Sequence, residues 1–427
     1  MRNESRVPMR RLAGALALVL LPAPRVAPQA APQVAPQEGL AAVQQELRKF
    51  DPKALGALLE RADKDPDPAI RRAILDRLSR LPLSGVREAL EDHAANDPDA
   101  GVALLARERL RLLHAQELGR LFARRLALAH EQGDQKALEA LVPQHQRWAT
   151  LARGAVLPAF LQGPPDVFAA LDPGKPARVL LFGDINEPGP EGPQVAAAAL
   201  AYHRGKRFDL GLTVGDNFPP RGVTGLDDPR WKAEWEDLYG PLGIPIFAST
   251  GNHDWGFADS PAAEIEYSRR SRTWRMPGLY YSFTAGPAQF FAIATQAWSE
   301  TQAAWLDREL ARSTARFKVV YGHHPIHSYG GYGPTAELQQ SLLPVLRGRA
   351  HLYLFGHEHV VQVLEEDGLH FLNTPAAGQK ARPARSGPLT RFADSFYGFA
   401  ALEVSREALR VELVDTEGKV RHRMEIR

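Results

Sequence analysis

The chain has 427 residues, 44% of them hydrophobic and 24% charged, with no cysteine, 14 histidines and a formal net charge of +2. That length suits two domains plus a tail, and the composition excludes a disordered or collagen-like chain. The lack of cysteine excludes disulfides, thiolate zinc sites, iron–sulfur clusters and a cysteine nucleophile, so a transition metal must be held by His, Asp, Asn, Glu or Tyr. The near-neutral balance gives no case for a nucleic-acid partner.

Arg2, Arg6, Arg10 and Arg11 precede an apolar run from Leu12 to Leu21. Residues 1–21 therefore read as a secretory signal peptide, too short to span a bilayer, which would send the protein to the periplasm or outside the cell. No clean small-x-small cleavage site follows, so an uncleaved anchor is the alternative. Pro22, Pro24, Pro28, Pro32 and Pro36 then recur among Ala and Gln, and residues 22–38 read as an extended linker.

Residues 39–165 are rich in Ala, Leu, Arg and Glu at helical spacing and are expected to form an all-α domain. Within it, Asp65-Pro-Asp-Pro-Ala-Ile-Arg-Arg-Ala-Ile-Leu-Asp-Arg-Leu78 aligns with the segment from Asp97 to Leu110. Each copy opens on Asp-Pro-Asp, which supplies turn and helix-start residues. The pair resembles HEAT-type repeats, in which stacked helix pairs bury each other's apolar faces; a plain helical bundle fits as well. Leu113 to His130 and Gln135 to Phe160 are expected as two further helices. Such a domain offers a surface for a protein partner, or serves as a spacer or lid.

From residue 176 to 427 the pattern changes to apolar, strand-like runs that end in short polar clusters. These are Val179 to Asp184, Leu210 to Asn217, Ile246 to Asp254, Phe317 to Pro325 and Leu352 to His359. In α/β sheets, ligand sites gather at the carboxyl ends of strands, and a glycine before each polar residue permits a sharp turn there. Six of the 14 histidines fall between His323 and His359. Each cluster alone is an ordinary turn; five in this order converge on a metal site.

In sequence these motifs, Gly-Asp, Gly-Asp-Asn, Gly-Asn-His-Asp, Gly-His and Gly-His-x-His, resemble those of the calcineurin-like metallophosphoesterases. Gly215-Asp-Asn-Phe218, Gly322-His-His-Pro325 and the stretch from Arg272 to Tyr281 are similar to the small, tartrate-resistant kind of purple acid phosphatase. The resemblance implies an α/β, four-layer fold, two packed mixed β-sheets flanked by helices, with two metal ions at the strand ends. It implies that Asp184 and His359 hold one metal, that Asn252, His323 and His357 hold the other, and that Asp216 bridges both. His253 would bond the phosphate or protonate the leaving group, with Asp254 orienting it or serving as a turn aspartate. His324, His327, Asn217 and Trp255 are candidate substrate contacts.

Two positions depart from the pattern. The purple enzymes' tyrosinate ligand is replaced by Pro219, and Asn186 stands where the wider superfamily often has histidine, as a weak amide ligand or a turn residue. Without a phenolate the preference for iron(III) weakens, and Mn, Zn or Fe(II) become suitable. The implied activity is phosphomonoester hydrolysis of a small-molecule phosphate ester. The alternatives are phosphodiester or nucleotide-ester hydrolysis on the same site, and a non-catalytic binding protein relying on the helical domain.

Overall fold

The computed structural model describes residues 36–48, 51–81, 85–153, 159–186, 188–257 and 259–427; the expected signal peptide and residues 22–35 of the linker lie outside them. The last three linker residues are helical rather than extended. α1 spans Pro36–Arg48 and starts on a proline, whose missing N–H is not needed in a first turn. There follow α2 (Leu55–Lys64), α3 (Pro68–Leu78), α4 (Val86–Asn96), α5 (Ala100–Glu131) and α6 (Gln135–Leu151). Among the described residues no helix is long and apolar enough to cross a membrane.

The two sequence copies fall on equivalent elements. Asp67 caps α3 and Asp99 caps α5 through their side chains, and α2 packs on α3 as α4 packs on α5, with α3 against α5. A separate helix from Leu113 does not form. α5 runs unbroken to Glu131 because Leu110 to His114 holds no Gly, Pro or capping residue that would stop it. α6 ends short of Phe160, ahead of Gly154 and Pro158 in the sequence, both poor helix formers.

Asp97 ties the copies together. Its carboxylate accepts from Arg71 Nε (3.1 Å) and Nη2 (2.8 Å), from Asp99 N (2.9 Å) and pairs with His93 Nδ1 (2.7 Å). Burial works against the charge, but the Arg71 guanidinium and these bonds hold the Asp97 pKa down to about 2. A carboxylate whose folded pKa lies below its unfolded value adds stability above the unfolded pKa, and that stability is lost as pH falls through the folded one. Between pH 5 and pH 2 the wild-type helical region is therefore expected to lose roughly 2 kcal/mol more than an Asp97→Asn variant. Urea melts across that range check this, and parallel losses in the two proteins would refute it.

Beyond the helices, strands build two mixed sheets. They are β1 (Phe168–Ala169), β2 (Ala177–Phe182), β3 (Leu210–Val214), β4 (Ile246–Ser249), β5 (Trp274–Arg275), β6 (Tyr281–Ala285), β7 (Ala288–Ala292) and β8 (Phe317–Tyr321). The chain continues through β9 (Leu352–Phe355), β10 (Val361–Glu366), β11 (Leu369–Asn373), β12 (Thr390–Asp394), β13 (Gly398–Val404), β14 (Leu409–Asp415) and β15 (Val420–Ile426). One sheet has the order β1-β6-β7-β8-β9-β11-β10-β12 and the other β15-β14-β13-β2-β3-β4-β5. Strands β2, β3 and β4 are parallel neighbours in one sheet, and β8 and β9 in the other. Their inner faces share a core of residues such as Leu181, Leu212, Phe283, Phe290, Val319 and Leu402. The outer faces are covered by helices, which gives the four-layer architecture expected.

The helical region does not keep a core of its own throughout. Val43, Leu58, Ile74, Leu90 and Leu110 form one cluster, but Leu118, Phe122, Leu141 and Trp148 belong to the cluster that also contains Trp255, Met276 and Tyr280. The divide between cores therefore passes through the middle of α5.

Candidate metal centre

The parallel strands β2, β3, β4, β8 and β9 deliver their polar clusters to one place. After β2, β3 and β9 the chain turns sharply in left-handed backbone, at Asp184 (φ 55°), Asp216 (φ 52°), His357 (φ 72°) and His359 (φ 53°), with Asn186 (φ 61°) close behind. Glycine beside them is a matter of space. A Cβ on Gly251 would lie 2.2 Å from Asp216 Oδ1, and one on Gly356 2.7 Å from Asp184 Oδ2.

Ligand atoms of Asp184, Asp216 and His323 all lie within 4.8 Å of one another, and all three residues are buried. His323 Nε2 is 3.2 Å from Asp216 Oδ2, 3.1 Å from Asn252 Oδ1 and 3.2 Å from His357 Nδ1. His359 Nε2 is 3.8 Å from Asp184 Oδ1 on the other side. All six residues assigned as ligands thus meet. Asp184 Oδ2 and Asn186 Oδ1 are buried with no hydrogen-bond partner, while Asn186 Nδ2 donates to Asn217 O at 3.0 Å. Buried carbonyl-type oxygens without donors are what a site for a cation contains.

Three imidazoles are oriented alike. A carbonyl oxygen only accepts, so Nδ1–H donates from His323 to Val214 O (2.8 Å), from His359 to Lys380 O (3.1 Å) and from His253 to Pro220 O (2.7 Å). Each is left with Nε2 facing the carboxylates, the arrangement typical of metal-binding histidine. Burial raises the Asp184 carboxyl; Asp216 is also buried, yet His323 and His253 hold it well below the usual carboxylate range. Burial likewise disfavours charge on His323, but Asp216 and Asp184 lift its pKa to about 9. The site's net field favours positive charge, and a metal cation can take the place of that proton.

The remaining candidates separate. His253 lies at the opening, its side chain 26% exposed and Nε2 3.7 Å from Asp216 Oδ2. His324 is beside His357 (ring centres 4.6 Å apart), with Nδ1 bonded to Thr295 Oγ1 at 2.8 Å; burial and then His357 push its pKa well down. His327 is turned away: its ring nitrogens meet Gln339 and Glu366, and its edge packs on Phe371. Asn217 is fully buried, bonding Thr213, Ser249 and Asp254, so it braces the loop and meets no solvent-borne ligand. Asp254 does not orient His253. Its carboxylate receives the backbone N–H groups of Asn217 (2.8 Å), Phe218 (3.0 Å) and Gly251 (2.8 Å), and burial and then Asp216 raise its pKa to about 6. The Pro220 carbonyl does the orienting instead.

Trp255 also departs from expectation. It is buried, and its indole packs on Phe122 of α5 (5.7 Å between ring centres) and Trp148 of α6 (6.3 Å), while Nε1 donates to Thr250 Oγ1. Gln144 of α6 donates to the Trp255 carbonyl, and Arg147 pairs with Asp259. The turn His253–Trp255 is therefore backed by the helical region.

At the mouth, Tyr332 stacks on His357 (4.6 Å between centres, 28° between planes). Its loop is pegged by Glu358, the residue between His357 and His359, which accepts from Ser328 Oγ (2.8 Å), Tyr332 N (3.0 Å) and Gly333 N (2.8 Å). Gln379 reaches Asp216 Oδ2 at 3.4 Å. Of these residues only Glu358 carried a sequence signal, from its place inside the His-x-His motif.

Comparison with known proteins agrees with this geometry. The family model for calcineurin-like phosphoesterases matches residues 177–361. Tartrate-resistant acid phosphatase type 5 of Sus scrofa is 29% identical over 252 residues, covering 49% of this chain and 73% of the relative. Purple acid phosphatase 7 of Arabidopsis thaliana is 26% identical over 279 residues, covering 57% and 84%. Among solved structures, GAP50, the anchor in the inner membrane complex of Plasmodium, matches in fold with a TM-score of 0.53 at 24% identity, over 59% of this chain and 88% of that one. Residues 177–361 are thus a calcineurin-like phosphoesterase domain, and the chain is a relative of the purple, tartrate-resistant acid phosphatases.

Proposed function

We propose that the protein hydrolyses phosphomonoesters at a dinuclear metal centre. The observation that carries this is the buried convergence of Asp184, Asp216 and His323 within 4.8 Å, with Asn252, His357 and His359 around it. Asp184 and His359 would hold one ion, Asn252, His323 and His357 the other, and Asp216 would bridge them, with Asn186 as an added oxygen donor. Two bound cations polarise phosphoryl oxygens and acidify water, which suits ester hydrolysis.

The chain's own groups supply the rest. His253, fixed through Nδ1 by the Pro220 carbonyl, presents Nε2 beside Asp216 at the open side, where it bonds a phosphate oxygen or delivers a proton to the leaving oxygen. His324, held by Thr295, stands next to His357 as a further phosphate contact. Pro219 supplies no ligand, so the reading includes a pale enzyme carrying Mn, Zn or Fe(II). The basic and apolar residues 1–21 support export.

The test is metal removal. Chelation is expected to abolish hydrolysis of phenyl phosphate and lower the melting temperature, and re-addition of Mn, Zn or Fe(II) to restore both. Diesters are expected to turn over more slowly. Full activity in metal-free protein would sink the reading, and a strong visible tyrosinate band would sink its metal assignment.

A further inference from the structure

Two side chains at the mouth have no role in that reading. Tyr332 is 57% exposed, yet it is fixed on every side that the chain offers: its ring on His357, its backbone on buried Glu358, its hydroxyl accepting from Arg382 Nη2 at 2.6 Å. The Arg382 guanidinium carbon sits 4.1 Å from the centre of the Tyr332 ring. Arg382 is itself anchored, its N–H donating to His359 O (2.9 Å) and its carbonyl accepting from Ser395 Oγ (2.7 Å). Among the described residues no carboxylate pairs with its guanidinium, although Asp and Glu side chains neutralise arginines over much of the surface.

A guanidinium seated over an aromatic ring and bonded to its hydroxyl is restrained, and the planar fork of its remaining N–H groups matches phosphate. One aromatic side chain separates it from His357, so a small molecule whose phosphoryl group lies at the metal centre can reach it with a second anionic group. We propose that Arg382, seated on Tyr332, binds a second phosphoryl group of the substrate. The preferred esters would then be diphosphates and bisphosphates rather than simple monoesters. Glu358 is the positioning residue of this subsite, because it fixes the loop that carries Tyr332. The proposal rests on the metallophosphatase reading and narrows its substrate class.

The experiment is calorimetric binding to the metal-loaded full chain, with methylphosphonate as the single-anion probe and methylenediphosphonate as the double one. Arg382→Gln is expected to weaken the double probe about tenfold more than the single one, the size of one charge-assisted hydrogen bond. Arg382→Lys keeps the charge and loses the fork, so it should fall between. Tyr332→Phe removes the hydroxyl bond alone and should move the ratio the same way by less. Equal weakening of both probes by Arg382→Gln and Arg382→Lys would overturn the subsite and leave the metal centre standing. Failure of wild-type protein to bind either probe would overturn the phosphoryl-binding reading and the subsite with it.

Discussion

Replacing Asp216 with asparagine is expected to reduce phosphoester hydrolysis on the order of 10³-fold or more while leaving the fold intact. Asp216 is the point where the two halves of the site meet: its carboxylate lies 3.2 Å from His323 Nε2 and accepts the His253 backbone N–H at 2.9 Å. Asparagine keeps the size and the latter bond, and it tolerates the left-handed backbone at φ 52° at least as well as aspartate. What it removes is the negative charge that lifts His323 and that would bridge two cations. The expected result is near wild-type circular dichroism, fewer than two metal ions per chain by elemental analysis, and almost no turnover. Wild-type metal content with wild-type turnover would show that the reacting centre is elsewhere.

The second large effect is expected far from the metals in sequence. Trp148→Ala should destabilise the protein by about 3–5 kcal/mol, since a buried tryptophan leaves a cavity that its neighbours only partly fill. Gln144→Leu should cost about 1–3 kcal/mol by leaving the buried Trp255 carbonyl without a donor. Both changes loosen the turn that presents His253, so they should lower kcat more for an alkyl phosphate, whose leaving oxygen needs a proton, than for p-nitrophenyl phosphate, whose leaving oxygen does not. Lower melting temperatures with both kcat values unchanged would reduce the helical contact to a purely structural one.

The candidate ligands were legible because five of the six follow a glycine at the end of an apolar run, and His359 lies two residues after the fifth, a local pattern that survives without knowledge of the fold. The two-sheet architecture came with the resemblance those motifs carry. Residues whose partners are distant in sequence were not legible. Trp255 looks like a pocket wall next to Asn252 and His253, but the rings that bury it come from Phe122 and Trp148, more than one hundred residues earlier. Asp254 reads as the neighbour of His253, yet a three-residue helical turn points the two side chains apart and gives Asp254 to the β3 loop. His327 shares the Gly322-His-His-Pro325 neighbourhood but faces β10 through Glu366. The long α5 was missed for a simpler reason: repeat spacing suggests an end that no residue enforces.

The left-handed backbone at Asp184, Asn186, Asp216, His357 and His359 has a consequence for anyone who engineers this protein. Such conformations cost of order 1–3 kcal/mol each at non-glycine residues, less for Asp and Asn, and here they are gathered at the candidate site. A library sorted only for heat resistance would accordingly admit glycine at these positions and discard the candidate ligands. Hardening this scaffold requires a turnover screen run alongside the thermal one, because the fold by itself gains from losing its chemistry.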